Sequence, residues 1–246
     1  MQLLLFLFSI LLISISDASY MDKLIIIGNE HTKNHIIKRE IQHPIPGVFD
    51  STLAQFDKDR IYNTGLFSNV EIYRLDSTYT ISVIETFRIF PIPLIDYDEG
   101  KGASYGGGIV FLNIRGLNEQ LVLGSLVGEN NMYFIEYFNP WIYGNHGSLD
   151  AQIYNLFQES SVYNYNLQMK GYKIGTGFYF GEKHKYNFVS GIEFYYMDST
   201  NITQTNYQKL PVQKFLPTYN YLALDLIYKY DTRDIYIDPS KGQISI

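Results

Sequence analysis

The sequence predicts two parts: an α+β module of order β-α-α-β-β over residues 23–86, and an antiparallel transmembrane β-barrel, incomplete, over residues 103–246. Three observations carry this expectation. Apolar residues recur at helical spacing only between Ile36 and Tyr62, they alternate with polar ones from Ala103 onward, and an apolar run from Leu3 to Ile15 opens the chain.

The opening run, LLLFLFSILLISI, ends before Ser16-Asp17-Ala18, a small-x-small triplet. A spanning helix needs about 20 apolar residues, whereas the apolar stretch of an export signal needs about 7 to 15. Residues 1–18 are therefore expected to be a signal peptide, with the mature chain starting near Ser19, although Gln2 gives the segment before the run no positive side chain.

Composition excludes several classes. Of 246 residues, 46% are hydrophobic, 16% aromatic and only 18% charged, which rules out a disordered chain. Tyr dominates the aromatics, 23 against 16 Phe, and its apolar ring with a polar tip suits a boundary between water and lipid. A net charge of −6 without a basic cluster offers no footprint for a phosphate backbone, so no nucleic-acid partner is expected. With no Cys there is no disulfide framework, no thiolate metal site and no cysteine nucleophile.

In the module, KLIIIGNEHT from Lys23 to Thr32 reads as a strand ending in a turn at Gly28-Asn29. Thr32 is placed to cap a first helix, NHIIKREI, whose Ile36, Ile37 and Ile41 share a face. After Pro44, Pro46 and Gly47 a second helix starts near Asp50-Ser51, turns Leu53, Phe56, Ile61 and Tyr62 inward, and stops at Gly65. SNVEIYRL and YTISVIE, joined around Asp76-Ser77-Thr78, read as a hairpin. The expected core is Ile25, Ile27, Phe56, Phe67, Val70, Ile72, Ile81 and Val83. The stretch Asn69, Val70, Glu71, Ile72, Tyr73, Arg74 and Leu75 is the expected edge strand, whose unpaired N–H and C=O groups can template an extended chain.

Residues 87–102, with Pro91 and Pro93, read as a linker. Beyond them Tyr163, Tyr165, Leu167 and Met169 alternate with Asn164, Asn166, Gln168 and Lys170. A turn is expected near Gly171, after which Ile174, Thr176, Phe178 and Phe180 alternate with Lys173, Gly175, Gly177 and Tyr179. Leu149, Ala151 and Ile153 oppose Ser148, Asp150 and Gln152, and Leu222, Leu224, Leu226 and Tyr228 oppose Ala223, Asp225, Ile227 and Lys229. Strands of about 9 to 11 residues, aromatic at their ends and polar on one face, favour a barrel in lipid over a soluble sandwich, and about nine strands are expected after Ala103. Asp231, Arg233 and Asp234 read by themselves as a solvated turn with weak local ion pairs. Trp141 reads as an interfacial anchor. His31 and His35, at i and i+4, come nearest to a metal pair but lack a third ligand, so no metal, cofactor or catalytic residue is expected.

These residues carry a resemblance. IIIGNEHT, IIKREI, FDKDRIYNTGLFSNVEIYRL and YTISVIET, in that order, resemble a POTRA domain, matching its Gly-Asn turn at Gly28 and Asn29, its Arg-Glu at Arg39 and Glu40, and its Gly-x-Phe-x-x-Val at Gly65, Phe67 and Val70. The segment from Gly106 to Gly144 resembles the opening strands of a barrel of the BamA-like outer-membrane assembly family, with the turn at Asn113 and Gly116 and the motif Phe138-Asn139-Pro140-Trp141. KYDTRDIYIDPSKG resembles its mid-barrel motif through Asp231, Arg233, Asp234, Pro239 and Gly242. The resemblance implies a protein of the Gram-negative outer membrane with its POTRA module in the periplasm. It implies unfolded outer-membrane proteins as clients, lipid as surroundings, and accessory lipoproteins and periplasmic chaperones as partners. The family barrel is longer, so the chain resembles its N-terminal part. A secretion transporter of the two-partner type and a small passive porin with a scaffold module are the other readings.

Overall fold

The computed structural model describes residues 20–98, 102–128, 131–144, 146–159, 166–181, 183–198, 218–236 and 239–246. The expected signal peptide at residues 1–18, and Tyr163, Asn164 and Tyr165, lie outside them. The chain divides into two compact units, residues 1–86 and 87–246.

The first unit runs β1 (Tyr20–Met21), β2 (Lys23–Ile27), α1 (Asn34–Lys38), β3 (Gly47–Val48), α2 (Ser51–Asn63), β4 (Phe67–Leu75) and β5 (Thr78–Glu85). Its sheet has the order β2-β5-β4, with β2 parallel and β4 antiparallel to β5, while β1 and β3 pair as a separate short ribbon. The expected order β-α-α-β-β is present as β2-α1-α2-β4-β5. The β1–β3 ribbon is an addition to it.

Asp50 starts α2 because its carboxylate accepts from the N–H groups of Thr52 at 2.7 Å and Leu53 at 3.2 Å, two of the donors a helix start leaves unpaired. Those bonds hold the Asp50 carboxyl below its usual range. At the other end Gly65 takes φ +74° just past the cap residue Thr64, as expected. Thr32 is not the cap of α1. The helix starts from Lys33 without a side-chain cap, and Thr32 is buried, its N–H held by the Glu85 carboxylate at 2.7 Å.

The core contains Ile36, Ile37, Ala54, Ile61, Phe67, Val70, Ile81 and Val83, each large side chain contributing about 1.5–3 kcal/mol of burial. Three expected core residues are exposed instead: Ile25, Ile27 and Phe56. The strand β2 is read one residue out of phase by apolarity alone, since Leu24 and Ile26 sit across from the buried Tyr79 and Ile81. In α2 the buried stripe is Ala54, Asp57 and Ile61, and Phe56 falls outside it because a carboxylate occupies an inward position.

Among the described residues the second unit is one antiparallel sheet of nine strands in sequence order: β6 (Ile89–Asp98), β7 (Gly102–Leu112), β8 (Gln120–Gly128), β9 (Met132–Tyr143), β10 (Gly147–Glu159), β11 (Asn166–Phe180), β12 (His184–Asp198), β13 (Thr218–Asp231) and β14 (Ile244–Ser245). Among the described residues β6 and β14 are its two ends and do not pair with each other.

Two expectations are corrected here. Residues 87–102 are not a linker, because Ile89–Asp98 is the first strand, and the count of nine is reached only by including it. Its prolines are tolerated because they sit on an edge strand, where a missing N–H breaks no existing ladder bond. Nor does the chain turn at Gly171, which lies inside the 15-residue strand β11. What changes there is the face carrying the apolar residues: Tyr172, Ile174 and Phe178 lie on one face, Leu167 and Met169 on the other. At 15 residues β11 and β12 are also longer than the 9–11 needed to cross lipid.

Candidate functional site

Among the described residues the edge strand β4 bonds to β5 alone. Its two-residue turn, Asp76-Ser77, closes on the pair Leu75 and Thr78, with Asp76 at φ +53°. A turn of that length closes on a hydrogen-bonded pair, and such pairs then recur every second residue. Leu75, Tyr73, Glu71 and Asn69 therefore point their N–H and C=O groups at β5, while Val70, Ile72 and Arg74 point theirs to the open side. The edge expected at Asn69–Leu75 is thus present, with the donors and acceptors of Val70 and Ile72 turned to its open side. The solvent face beside it is apolar: Tyr73, Leu75, Ile84, Ile25 and Ile27 are all exposed.

Glycine and carboxylate chemistry fix the loop at the far end of that sheet. Gly28 has φ +88°, and a Cβ there would lie 1.9 Å from the Val83 carbonyl oxygen, so the position excludes a side chain on two counts. Asn29 secures the following turn through Nδ2, which donates to the Thr32 carbonyl at 2.8 Å. Glu85 accepts from the N–H groups of His31 and Thr32. Partial burial pushes the Glu85 carboxyl up, but the bonds from Thr32 and His31 outweigh it and hold the group below its usual range. His31 lies in this loop, outside α1, so it and His35 do not share a helix turn.

The second unit is built with two faces. Pro91, Ile109, Leu123, Ile135, Ile153, Tyr172, Ile192 and Leu222 are successive cross-strand partners from β6 to β13, an unbroken apolar row on one face. Phe180 and Leu226, on that face, are each 75% exposed, which water would penalise and hydrocarbon would not. On the opposite face Glu193 gathers Lys173 Nζ at 2.8 Å, the Tyr195 hydroxyl at 2.9 Å and the Tyr154 hydroxyl.

The motif residues of this unit hold its turns. Asn113, at φ +55°, accepts from the Asn118 N–H at 2.8 Å, and Gly116 donates back to the Asn113 carbonyl. Beside it Glu119, 1% exposed, accepts from Arg115 Nε at 2.8 Å and from the Tyr137 hydroxyl at 2.7 Å. The Arg115 bond is the main reason the Glu119 carboxyl lies below its usual range. Sequence reading missed Arg115, Glu119 and Tyr137; the i, i+4 spacing of Arg115 and Glu119 was the available signal.

In the Phe138-Asn139-Pro140-Trp141 motif, Asn139 accepts from the Trp141 N–H at 3.0 Å, opposite a register shift in β10. Trp141 stacks on His146 with centroids 3.8 Å apart and donates to the Gly144 carbonyl, so its ring closes this turn. Asp231 is buried rather than solvated, accepting from Arg233 Nε at 2.9 Å and Nη2 at 2.8 Å and from Lys229 Nζ at 3.1 Å. Asp234 gathers the Ser240 side chain and the N–H groups of Ile235, Ser240 and Lys241, which hold its carboxyl well below the usual range. Gly242 closes the loop at φ +95°, where a Cβ would lie 2.1 Å from the Thr232 carbonyl oxygen.

A large antiparallel sheet with one greasy face, one polar face and tightly tied turns is the architecture of an outer-membrane β-barrel. The model of the Omp85 superfamily domain matches residues 113–245, more than half of the chain. The protein belongs to the Omp85 superfamily. Its fold is similar to that of BamA from Haemophilus ducreyi, solved without its POTRA domains 1–3, at 19% identity and a TM-score of 0.58 over 92% of this chain and 46% of that one. Weaker likenesses join it to CdiB from Escherichia coli, with 10% identity, TM-score 0.43 and 87% and 41% coverage. CdiB from Acinetobacter baumannii gives 12% identity, TM-score 0.45 and 89% and 50% coverage. The chain spans about half the length of these solved structures. No curated protein matches the sequence.

Proposed function

We propose that the chain acts as an outer-membrane insertion factor, working by backbone pairing and without catalytic chemistry. Residues 23–86 are a POTRA module in the periplasm that receives unfolded outer-membrane proteins by strand addition at β4, and the barrel passes their strands into the bilayer. The observation that carries this is the open ladder at Val70 and Ile72 on a folded α+β unit. Backbone donors accept any client sequence, and the apolar face beside them suits strands with alternate greasy residues. Two further points support the reading. The likeness to BamA covers 92% of the chain, more than residues 87–246 supply by themselves, and a signal peptide at residues 1–18 provides export. Accessory lipoproteins and periplasmic chaperones are the companions this role needs.

The test is a titration of the full chain, amide-labelled and in detergent micelles, with an extended peptide of alternating Tyr and Thr. Amide shifts at Val70 and Ile72 are expected. Shifts confined to other strands, or none, would remove the client-receptor role from this edge.

A further inference from the structure

The lipid-facing side of β11 changes character along the strand. From Phe180 back to Tyr172 its outward residues are apolar or aromatic apart from Thr176, and this stretch fills the about 9 residues with which a tilted strand crosses lipid. The outward residues that follow are Lys170, Gln168 and Asn166, while Leu167 and Met169 turn to the opposite face. Lys170 is thus the first charge met on that side of the strand, set where the hydrocarbon ends.

The side chains around it are held in place. Register puts Asn155 of β10 opposite Lys170, Tyr133 of β9 beyond Asn155, and Tyr196 of β12 opposite Gln168. Asn155 is 4% exposed and both ends of its amide are used: Oδ1 accepts from Gln168 Nε2 at 2.9 Å, and Nδ2 donates to the Asn131 carbonyl at 2.8 Å. The Lys170 ammonium lies over the Tyr196 ring, 5.3 Å from its centroid. Among the described residues no carboxylate pairs with Lys170, and the Tyr196 hydroxyl makes no hydrogen bond.

We infer that this patch binds the phosphate of an anionic lipid headgroup, with Lys170 Nζ and the Tyr196 hydroxyl as its donors and the Asn155–Gln168 amide pair as its rigid support. Headgroup phosphate is the anion found at the level where the apolar residues of a lipid-facing strand give way to polar ones. A hydrogen bond from an ammonium to a phosphate oxygen is charge-assisted and so about twice as strong as a neutral one. The Tyr196 ring already restrains the lysine side chain, which lowers the ordering cost of binding. The site depends on the lipid-facing assignment of this side of the sheet and is independent of the client-receptor role of β4.

The full chain, purified in a non-ionic detergent, is titrated with dioleoyl phosphatidic acid, with dioleoyl phosphatidylcholine and with inorganic phosphate, and the bound species are weighed by native mass spectrometry. Circular dichroism first establishes that each variant keeps its β-sheet. The parent is expected to take phosphatidic acid at lower concentration than phosphatidylcholine. Lys170→Met is expected to weaken the tightest-bound phosphatidic acid by about tenfold, the effect of one lost charge-assisted bond. Lys170→Arg should keep that affinity, and Lys38→Met, the same change of charge in the first unit, should leave it unaltered. A folded Lys170→Met that holds phosphatidic acid as tightly as the parent would overturn the inference. So would equal affinity of the parent for the two lipids, an equal loss in Lys38→Met, or displacement of the lipid by equimolar inorganic phosphate, which would make free phosphate the ligand.

Discussion

The Tyr79 hydroxyl donates a 2.9 Å hydrogen bond to Asp57 Oδ2, and both residues are fully shielded from solvent. The same carboxylate accepts from the N–H groups of Gln42 at 2.7 Å and His43 at 3.3 Å, so one buried acid ties β5, α2 and the loop between the helices. Tyr79→Phe should cost the first unit about 1–3 kcal/mol, measured by urea titration of residues 20–86 expressed alone. Asp57→Ala should cost more, because it strands all three donors. Burial first, and then the nearby Asp57 charge, push the Tyr79 phenol up. A raised folded value means the contribution is intact below the unfolded value of about 10 and is lost as pH climbs past it. Stability of the parent should therefore fall above about pH 10, and Tyr79→Phe should flatten that fall.

The packing of the module makes a second prediction. Phe67 is 3% exposed and Phe56 is 56% exposed. Phe67→Ala should destabilise the unit by about 3–5 kcal/mol, while Phe56→Ala should stay within about 0.5 kcal/mol. Equal losses in the two variants would restore the phase that apolarity alone suggests for α2.

The turn between β7 and β8 gives a third. Glu119 is held ionised chiefly by Arg115, with its carboxyl below the usual range. A depressed folded value stabilises above the unfolded value of about 4.3 and is lost as pH falls through the folded one. Glu119→Gln should leave the strands paired but speed hydrogen exchange at the Asn118 amide, whose turn loses its Arg115 brace. Unchanged exchange at that amide would show that the ion pair is ornamental to the turn.

How much of this was legible in the sequence depends on which force decides each element. Asp50, Gly65 and the Asp76-Ser77 turn act locally, through caps and dihedral angles, and the sequence reading placed all three. The faces of the sheet were readable for the same reason, because the side-chain period is two. The phase of β2 and of α2 was not. There long-range partners decide, and a buried Asp57 with an exposed Phe56 inverts the rule that apolar residues face inward. The strand Ile89–Asp98 was hidden because proline breaks a strand only when both edges are used. Of the site, the β4 edge was readable as a strand beside a turn, but which of its residues face outward needed the register.

A fourth prediction concerns Gly28. Because a Cβ there would meet the Val83 carbonyl oxygen at 1.9 Å, Gly28→Ala should prevent residues 20–86 from folding cooperatively, read by the loss of a sigmoidal urea transition. Gly65→Ala, which meets nothing within 4 Å and suffers only from its positive φ, should unfold at lower urea but still cooperatively.

The measurement that bears most directly on the central claim compares Ile72→Pro with Glu71→Gln in a client-folding assay. Ile72 directs its N–H to the open side of β4, so proline there removes a client donor while sparing the ladder to β5, and Glu71→Gln changes only charge. With the full chain reconstituted in lipid vesicles, the rate at which an unfolded outer-membrane barrel inserts is measured for parent and variants, after circular dichroism has shown each to be folded. The account predicts that Ile72→Pro loses the acceleration and Glu71→Gln keeps it. A folded Ile72→Pro variant that accelerates insertion as well as the parent would contradict it.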